Sequence, residues 1–352
     1  MWKTCICSKG LLSILVVLSF LFIQCKKGRS LAATGPTISS LNIPGNDVQQ
    51  QVIFDTDPGG DVDDAGALAV LHALADRGEI KILAMGVSIG HDLAVPFVDA
   101  VNTWYGRPDL PVGTIKGTAS YSADYFMKNV VDKYPANLTK YNAPEVVDLY
   151  RKTLAAQPDN SVTIITVGPS TNISNLLNSA PDHHSNLTGV ELVRKKVKFY
   201  AAGGNGNGGL PNGQAGFNYY MDLKSASNEL NLLPADFPTV FAGGSGSKLE
   251  LGSALSTASD DHIIRKSYES YYKGTAQNRP TWDQLRVLYA CRPASRAYFD
   301  TSVRGKIQVN SARVIWWETS SEKNHAYAYV NDFTKVRDEL LKLMLYDPRG
   351  NK

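Results

Sequence analysis

Five aspartates fall within ten consecutive positions of this chain: Asp55, Asp57, Asp61, Asp63 and Asp64. Like charges at that density repel one another unless a cation neutralises them or some keep their protons. Hard divalent cations such as calcium accept several carboxylate oxygens in flexible geometry, so the spacing points to a metal. The plainer alternative is a solvated acidic turn in which Asp61 or Asp63 caps a helix. A cap needs only one aspartate, which favours the metal.

The flanking residues say how the carboxylates are positioned. Val52-Ile53-Phe54 reads as a buried strand, Pro58-Gly59-Gly60 as a tight turn, and residues 65–75 as a helix with Leu68, Leu71, Leu74 and Ala75 at helical spacing. The aspartates thus sit where a strand ends and a helix begins, the crevice in which open α/β sheets bind ligands. Further strands are expected at 80–88, 162–167, 197–203 and 237–243. Helices are expected at 95–105, within 256–272, and from Trp282 onward. Residues 121–157 read as mostly helical with proline breaks, and 307–317 and 326–330 as strands of a closing β element. A last helix spans 332–345, with Val336, Leu340, Leu341 and Met344 as its apolar stripe. The alternation predicts an α/β fold: a single large domain with a mostly parallel central sheet flanked by helices.

Val52-Ile53-Phe54-Asp55-Thr56-Asp57-Pro58-Gly59, followed by Asp63-Asp64-Ala65, resembles the opening motif of the inosine-uridine preferring nucleoside hydrolase family, Asp-x-Asp-x-Gly-x-Asp-Asp. Two extra residues precede the final pair here, so Asp61 falls in an insertion. Gly168-Pro169-Ser170-Thr171-Asn172-Ile173 resembles the family's Gly-Pro-x-Thr-Asn-Ile. Phe217-Asn218 with Asp222 resembles its Glu-Phe-Asn-x-x-x-Asp, with Gly216 in the place of the glutamate. Trp282-Asp283 resembles its His-Asp pair, with Trp282 in the place of the histidine. The resemblance runs from about residue 51 to residue 330.

The resemblance implies a calcium-dependent N-glycosyl hydrolase that splits ribonucleosides, or a related riboside, into base and ribose. It makes Asp57 the general base and a metal ligand. Asp64 and Asp283 bind the metal through side chains, and Val167 through its carbonyl. Asp63 and Asn218 hold ribose hydroxyls, and Asp55 orients the loop from behind the ligands. Trp282 stacks on the base. Asn212 stands near the 5′ end of the substrate. His91, at a strand end, is a replacement ligand, an acid, or merely a polar strand-end residue. The acid for the leaving group is His91 or His325, unless the leaving group needs none. Asn172 supports its turn and caps its helix. The departures at Gly216, Trp282 and His91 imply a kept metal and ribose floor under an altered base or 5′ pocket.

Composition limits the rest. The chain has 352 residues, 43% hydrophobic and 20% charged, with a formal net charge of +3. That is ordinary for a globular protein and too weak a charge to favour nucleic acid or an anionic membrane surface. Residues 1–25 read as a signal peptide, with Lys3 and Lys9 before an apolar run at 11–23. Cys25 then becomes a lipidated first residue, or cleavage falls near Ala33. Residues 26–48 form a tether, and 49–352 the folded domain. The protein is expected to be exported, periplasmic or cell-surface, with a homodimer or homotetramer as the family's common state. Only Cys291 remains beyond the targeting segment and Cys25, so no internal disulfide is expected, and Cys291 reads as a small core residue. Two rivals stand beside the hydrolase. One is a calcium-retaining sugar- or glycan-binding surface protein without turnover. The other is an aspartyl phosphatase built on Asp55-Thr56-Asp57, for which Gly59 stands where a Thr or Val is wanted.

Overall fold

The computed structural model describes residues 49–117, 119–203 and 210–350. The expected signal peptide, with Cys25 and Ala33, the expected tether and the Gly- and Asn-rich stretch 204–209 lie outside these residues. Among the described residues no helix is long and apolar enough to cross a membrane.

The strands, in chain order, are β1 (Gln50–Thr56), β2 (Ile80–Val87), β3 (Val112–Thr114), β4 (Val162–Thr166), β5 (Val197–Gly203), β6 (Asn212–Gln214) and β7 (Thr239–Ala242). They continue as β8 (Glu250–Leu251), β9 (Arg279–Pro280), β10 (Phe299–Thr301), β11 (Gly305–Val309), β12 (Val314–Thr319) and β13 (His325–Val330). An eight-stranded sheet runs in the order β10-β13-β7-β5-β4-β1-β2-β3. All its pairings are parallel except β10 with β13. From β1 the chain steps outward through β2 to β3, then returns to the other side of β1 with β4. The order therefore reverses between β1 and β4, and such a reversal leaves a ligand crevice at the carboxyl ends of the strands.

The helices are α1 (Asp63–Asp76), α2 (Ala94–Trp104), α3 (Met127–Val131), α4 (Val146–Ala155), α5 (Thr171–Asn178), α6 (Gly189–Lys196), α7 (Phe217–Met221), α8 (Leu223–Leu232), α9 (Ile263–Tyr272), α10 (Trp282–Cys291) and α11 (Phe333–Met344). They cover both faces of the sheet, and the period-two alternation of β1 shows how. Val52 and Phe54 join Leu68, Val98, Ile264, Val287 and Val336 in one buried cluster, under α1, α2, α9, α10 and α11. Ile53 points the other way, to Val146, Ile173, Leu192 and Leu230 under α4, α5, α6 and α8. A strand buried on both faces must be apolar throughout, which is why Val52-Ile53-Phe54 shows no polar alternation.

Two segments differ from expectation. Residues 121–157 hold only α3 and α4. Pro135 and Pro144 interrupt the helical pattern, while the Asp124 carboxylate captures the amides of Phe126 and Met127 in a local turn. The β element near the C-terminus is split. β11 and β12 form a hairpin that β6 joins in a separate three-stranded sheet, whereas β13 enters the main sheet beside β7.

Candidate active site

The acidic turn lies at the carboxyl end of β1, as its position before α1 requires. α1 starts at Asp63 with Val62 in the capping position and no side-chain cap, so neither Asp61 nor Asp63 is spent on capping. Asp61 is held at the cavity wall by Arg279, through Nε (2.8 Å to Oδ1) and a terminal nitrogen (2.6 Å to Oδ2). Asp64 turns back to β1, where Oδ1 accepts from the Thr56 hydroxyl (2.5 Å) and the Asp57 amide (3.1 Å).

α10 brings the distant acid. Gly66 on α1 allows the approach: a Cβ there would lie 2.1 Å from Nε2 of Gln284 and 3.0 Å from the Tyr268 hydroxyl. Gln284 is fully buried. With α1 and α10 this close, oxygens of Asp63, Asp64 and Asp283 all lie within 4.8 Å of one another. Asp283 makes no cap either. Its Oδ1 faces Arg286, one turn on, at 3.4 Å. The Arg286 guanidinium is itself pinned by the carbonyls of Thr166 (3.0 Å) and Ala242 (3.1 Å).

Asp57, Asp63, Asp64, Val167, Asn218, Trp282 and Asp283 line one cavity of about 520 Å³, within the size range of small-molecule sites. Asp55 points away from it, beneath the turn. There it accepts from the Tyr150 hydroxyl (2.5 Å), the Asn172 amide (2.7 Å) and the Thr166 hydroxyl (3.4 Å). Asn172 thus supports the turn through Asp55 and does not cap α5, whose capping position is Ser170. The Val167 carbonyl accepts from the Asn218 amide, joining α7 to the end of β4.

Burial dominates the electrostatics. It raises Asp57 well above the usual carboxylate range, Asp64 repels it further, and the Tyr121 hydroxyl bonded to Oδ2 opposes the rise. Burial and then Asp283 raise Asp63, and burial and then Asp64 raise Asp283 despite Arg286. Asp64 reaches about 6, held down by Thr56 and the Asp57 amide. Buried carboxyls that keep protons without a cation are a donor set suited to one. All the donors are hard oxygens, and a divalent ion would replace the shared protons.

His91 and Asn212 are not brought to this cavity. His91 folds back on the start of α2, its Nδ1 accepting from the Leu93 amide (3.2 Å). Asn212 is exposed in β6, paired with Trp316 of the separate sheet. His325 is buried in β13 against the Pro234 carbonyl (3.3 Å), and burial lowers it to about 4, so it stays neutral. No histidine lines the cavity among the described residues.

Sequence reasoning missed Tyr121, Arg279, Arg286, Glu229 and Phe217, all of which line it. Tyr121 and Phe217 meet edge to face at 5.2 Å, and the Arg279 guanidinium lies 5.8 Å from the Trp282 ring. Arg286 had a signal, the three-residue spacing from Asp283 on one helix face. Tyr121 had none, since its loop has no periodicity.

A mostly parallel α/β sheet with converging carboxylates at its topological switch point is the architecture of a ligand-binding site. Residues 52–338 match the family described as inosine-uridine preferring nucleoside hydrolase. The chain belongs to that family and is an N-glycosyl hydrolase by class. It is 34% identical over 202 residues to the pyrimidine-specific ribonucleoside hydrolase RihA of Citrobacter koseri, a match spanning 54% of this chain and 59% of that enzyme. An uncharacterised protein of Schizosaccharomyces pombe is 26% identical over 300 residues, covering 76% of this chain and 90% of the other. Among solved structures, the purine-preferring ribonucleoside hydrolase of Gardnerella vaginalis shares the fold with a TM-score of 0.63 at 15% identity, over 84% of this chain and 98% of that one. The type III effector protein XopQ, solved with adenosine diphosphate ribose, gives 0.62 at 15% identity, over 86% and 96%.

Proposed function

We propose that the protein is a calcium-dependent ribonucleoside hydrolase. The observation that carries this reading is the meeting of Asp63, Asp64 and Asp283 within 4.8 Å in a cavity that Asp57, Val167 and Asn218 also line. Asp64, Asp283, Asp57 and the Val167 carbonyl would hold the ion. When bound, calcium supplies the positive charge that acidifies the attacking water and anchors the ribose diol.

The chain's own groups do the rest. Asp57 takes the proton from the attacking water, and the Tyr121 hydroxyl on its Oδ2 keeps it more acidic than burial alone would. Asp63 and Asn218 accept from and donate to the ribose hydroxyls. Arg286, buried and fixed by two carbonyls, holds Asp283 in place. Trp282, with Tyr121 and Phe217 beside the same cavity, forms the apolar wall for the base. With no histidine there, departure of the base relies on stacking or on a water as acid, which favours leaving groups that need little protonation. A sugar-binding role without turnover is not favoured, because the proposed base and ligands are all retained. A phosphatase is not favoured either. Asp55 is turned beneath the turn and bonded three ways, so it is not free to attack.

The test is a nucleoside panel with calcium-replete protein, purine against pyrimidine, followed by free base and reducing sugar, with Asp57→Asn as the blank. Calcium binding with no product from any riboside would end the hydrolase reading. Export and lipid attachment at Cys25 belong to the same proposal. Metabolic labelling with palmitate should mark the wild-type chain but not Cys25→Ser, and label on both would refute it. Self-association as a dimer or tetramer is also part of the proposal, and light scattering reads it directly.

A further inference from the structure

A second group of metal-ligating side chains lies apart from the acidic cavity. Among the described residues, two groups of acids and histidines bring three ligand atoms within 4.8 Å of one another. One is the acidic cluster. The other is Asp148 with His183 and His184, none of which lines the cavity. Asp148 lies in the first turn of α4, and the two histidines lie in the connection between α5 and α6. Asp148 and His183 are exposed, and His184 is partly buried. His184 Nε2 meets Asp148 Oδ1 at 2.9 Å. The two imidazole rings lie 3.8 Å apart, centre to centre.

In an extended chain, neighbouring side chains point to opposite sides. Here a turn puts both rings on one side, and the turn is held from beneath by the buried Arg151 of α4. Its Nε donates to Asp182 Oδ2 (2.7 Å) and Nη1 to Ser179 Oγ (2.8 Å). Its Nη2 donates to the carbonyls of Ser185 (3.1 Å) and Leu187 (2.9 Å). Asp182 Oδ1 in turn accepts from the amides of His184 and Ser185, both at 3.0 Å. One guanidinium thus ties the backbone that carries the histidines to the helix that carries the aspartate. A ligand set on a fixed backbone loses only side-chain freedom when it binds, which separates it from a chance meeting of surface groups.

We propose that Asp148, His183 and His184 form a second metal site, for a borderline divalent ion such as zinc, separate from the proposed calcium. Two imidazole nitrogens and one carboxylate oxygen suit zinc and its transition-metal neighbours, whereas calcium takes six or more oxygens. The three protein ligands fill three corners of a tetrahedron, and water fills the fourth. Zinc bonds of about 2.0–2.2 Å place ligand atoms roughly 3.3 Å apart. From 4.8 Å or less, the atoms close in by about 1.5 Å at most, which exposed side chains achieve by changing rotamer. The ion takes the place of the hydrogen between His184 and Asp148. It then bridges α4 to the α5–α6 connection. α4 also carries Tyr150, whose hydroxyl supports Asp55 beneath the acidic turn. The site is therefore structural: it braces the frame under the cavity and takes no part in the reaction.

Calorimetry with zinc, on the full chain in excess calcium, tests this, and His91→Gln serves as a control histidine outside the group. Wild type and His91→Gln should bind zinc alike. His183→Gln, His184→Gln and Asp148→Asn should each bind it at least about tenfold more weakly, as loss of a ligand requires. Raising calcium further should leave the zinc affinity unchanged. Thermal unfolding gives a second readout. Zinc at a hundredfold its Kd should raise the melting temperature of wild type by about 5 °C, and that of His183→Gln by about 2 °C less. No zinc bound, or zinc bound equally by the three variants, as by cysteines or another surface, overturns the proposal. So does zinc that calcium displaces, because it then occupies the acidic cluster. If His184→Gln or Asp148→Asn does not fold, the exposed His183→Gln decides. The outcome is read without turnover, so it stands or falls apart from the hydrolase reading.

Discussion

Removing the cation should make the protein less stable at neutral pH than at acidic pH. In the cation-free site the carboxyls of Asp57, Asp63, Asp64 and Asp283 are raised. Above about pH 4 the unfolded chain releases these protons, since an unperturbed aspartate titrates near 3.9. The folded chain keeps them. Stability therefore falls as pH rises from about 4, and for Asp64 the loss is complete once pH passes its folded value of about 6. Moving one carboxyl from 3.8 to about 6 is worth about 3 kcal/mol. Asp57, Asp63 and Asp283 add to this. A domain of this size loses roughly 2 °C of melting temperature per kcal/mol, so Asp64 alone predicts a drop of about 6 °C or more. Saturating calcium should abolish it, because the ligands are then ionised and paired. The assay is thermal unfolding from pH 4.5 to pH 8, in excess EGTA and in saturating calcium. The two curves should meet near pH 4.5 and separate by at least about 6 °C at pH 8. Identical curves at pH 8, or a calcium effect larger at acidic pH, would refute the reasoning.

Three further outcomes follow from single contacts. Tyr121→Phe removes the hydroxyl that lowers Asp57, so the acid limb of the kcat/KM profile should move to higher pH. A profile shifted downward, or not at all, contradicts the role given to Asp57. At Gly168 a Cβ would lie 2.3 Å from Ser88 Oγ and 2.9 Å from Asp57 Cβ. Gly168→Ala should therefore cost about 1–3 kcal/mol by overpacking and lower kcat more than it raises KM, as read by denaturant titration and steady-state kinetics. Asp283→Asn removes one charge from the repelling group. It should weaken calcium binding at least about tenfold in calorimetry, while raising the melting temperature in EGTA at pH 8.

Much of the site was legible because its chemistry is compressed into short strings. Asp57, Asp63 and Asp64 follow a buried strand and precede a helix, so their place at the sheet's edge follows from two periodicities. Asp283 is far away in the chain, and only the motif around it pointed to the same site. Its approach depends on the missing side chain of Gly66 and the packing of Gln284, which no local pattern encodes. Asp55 was expected behind the ligands from the family resemblance, and its bonds to Tyr150, Asn172 and Thr166 lie beneath the turn. Tyr121 was not legible, as its partner Asp57 is 64 residues away in the chain and its loop lacks period. Glu229 was not legible either. A glutamate on an amphipathic helix ordinarily marks the solvated face, and only the Tyr200 hydroxyl bonded to it shows that it points inward. His91 and Asn212 attracted attention by their neighbourhood in sequence. A back-folded turn residue and an edge strand then carried them elsewhere.

One measurement tests the central claim most directly: hydrolysis of a nucleoside in ¹⁸O-enriched water by the calcium-replete protein, with products resolved by mass spectrometry. The account predicts free base and ribose in equal amounts, one ¹⁸O at the anomeric carbon of each ribose, and loss of both products in Asp57→Asn or after chelation. Base release without label in the sugar, or undiminished turnover by Asp57→Asn, would contradict it.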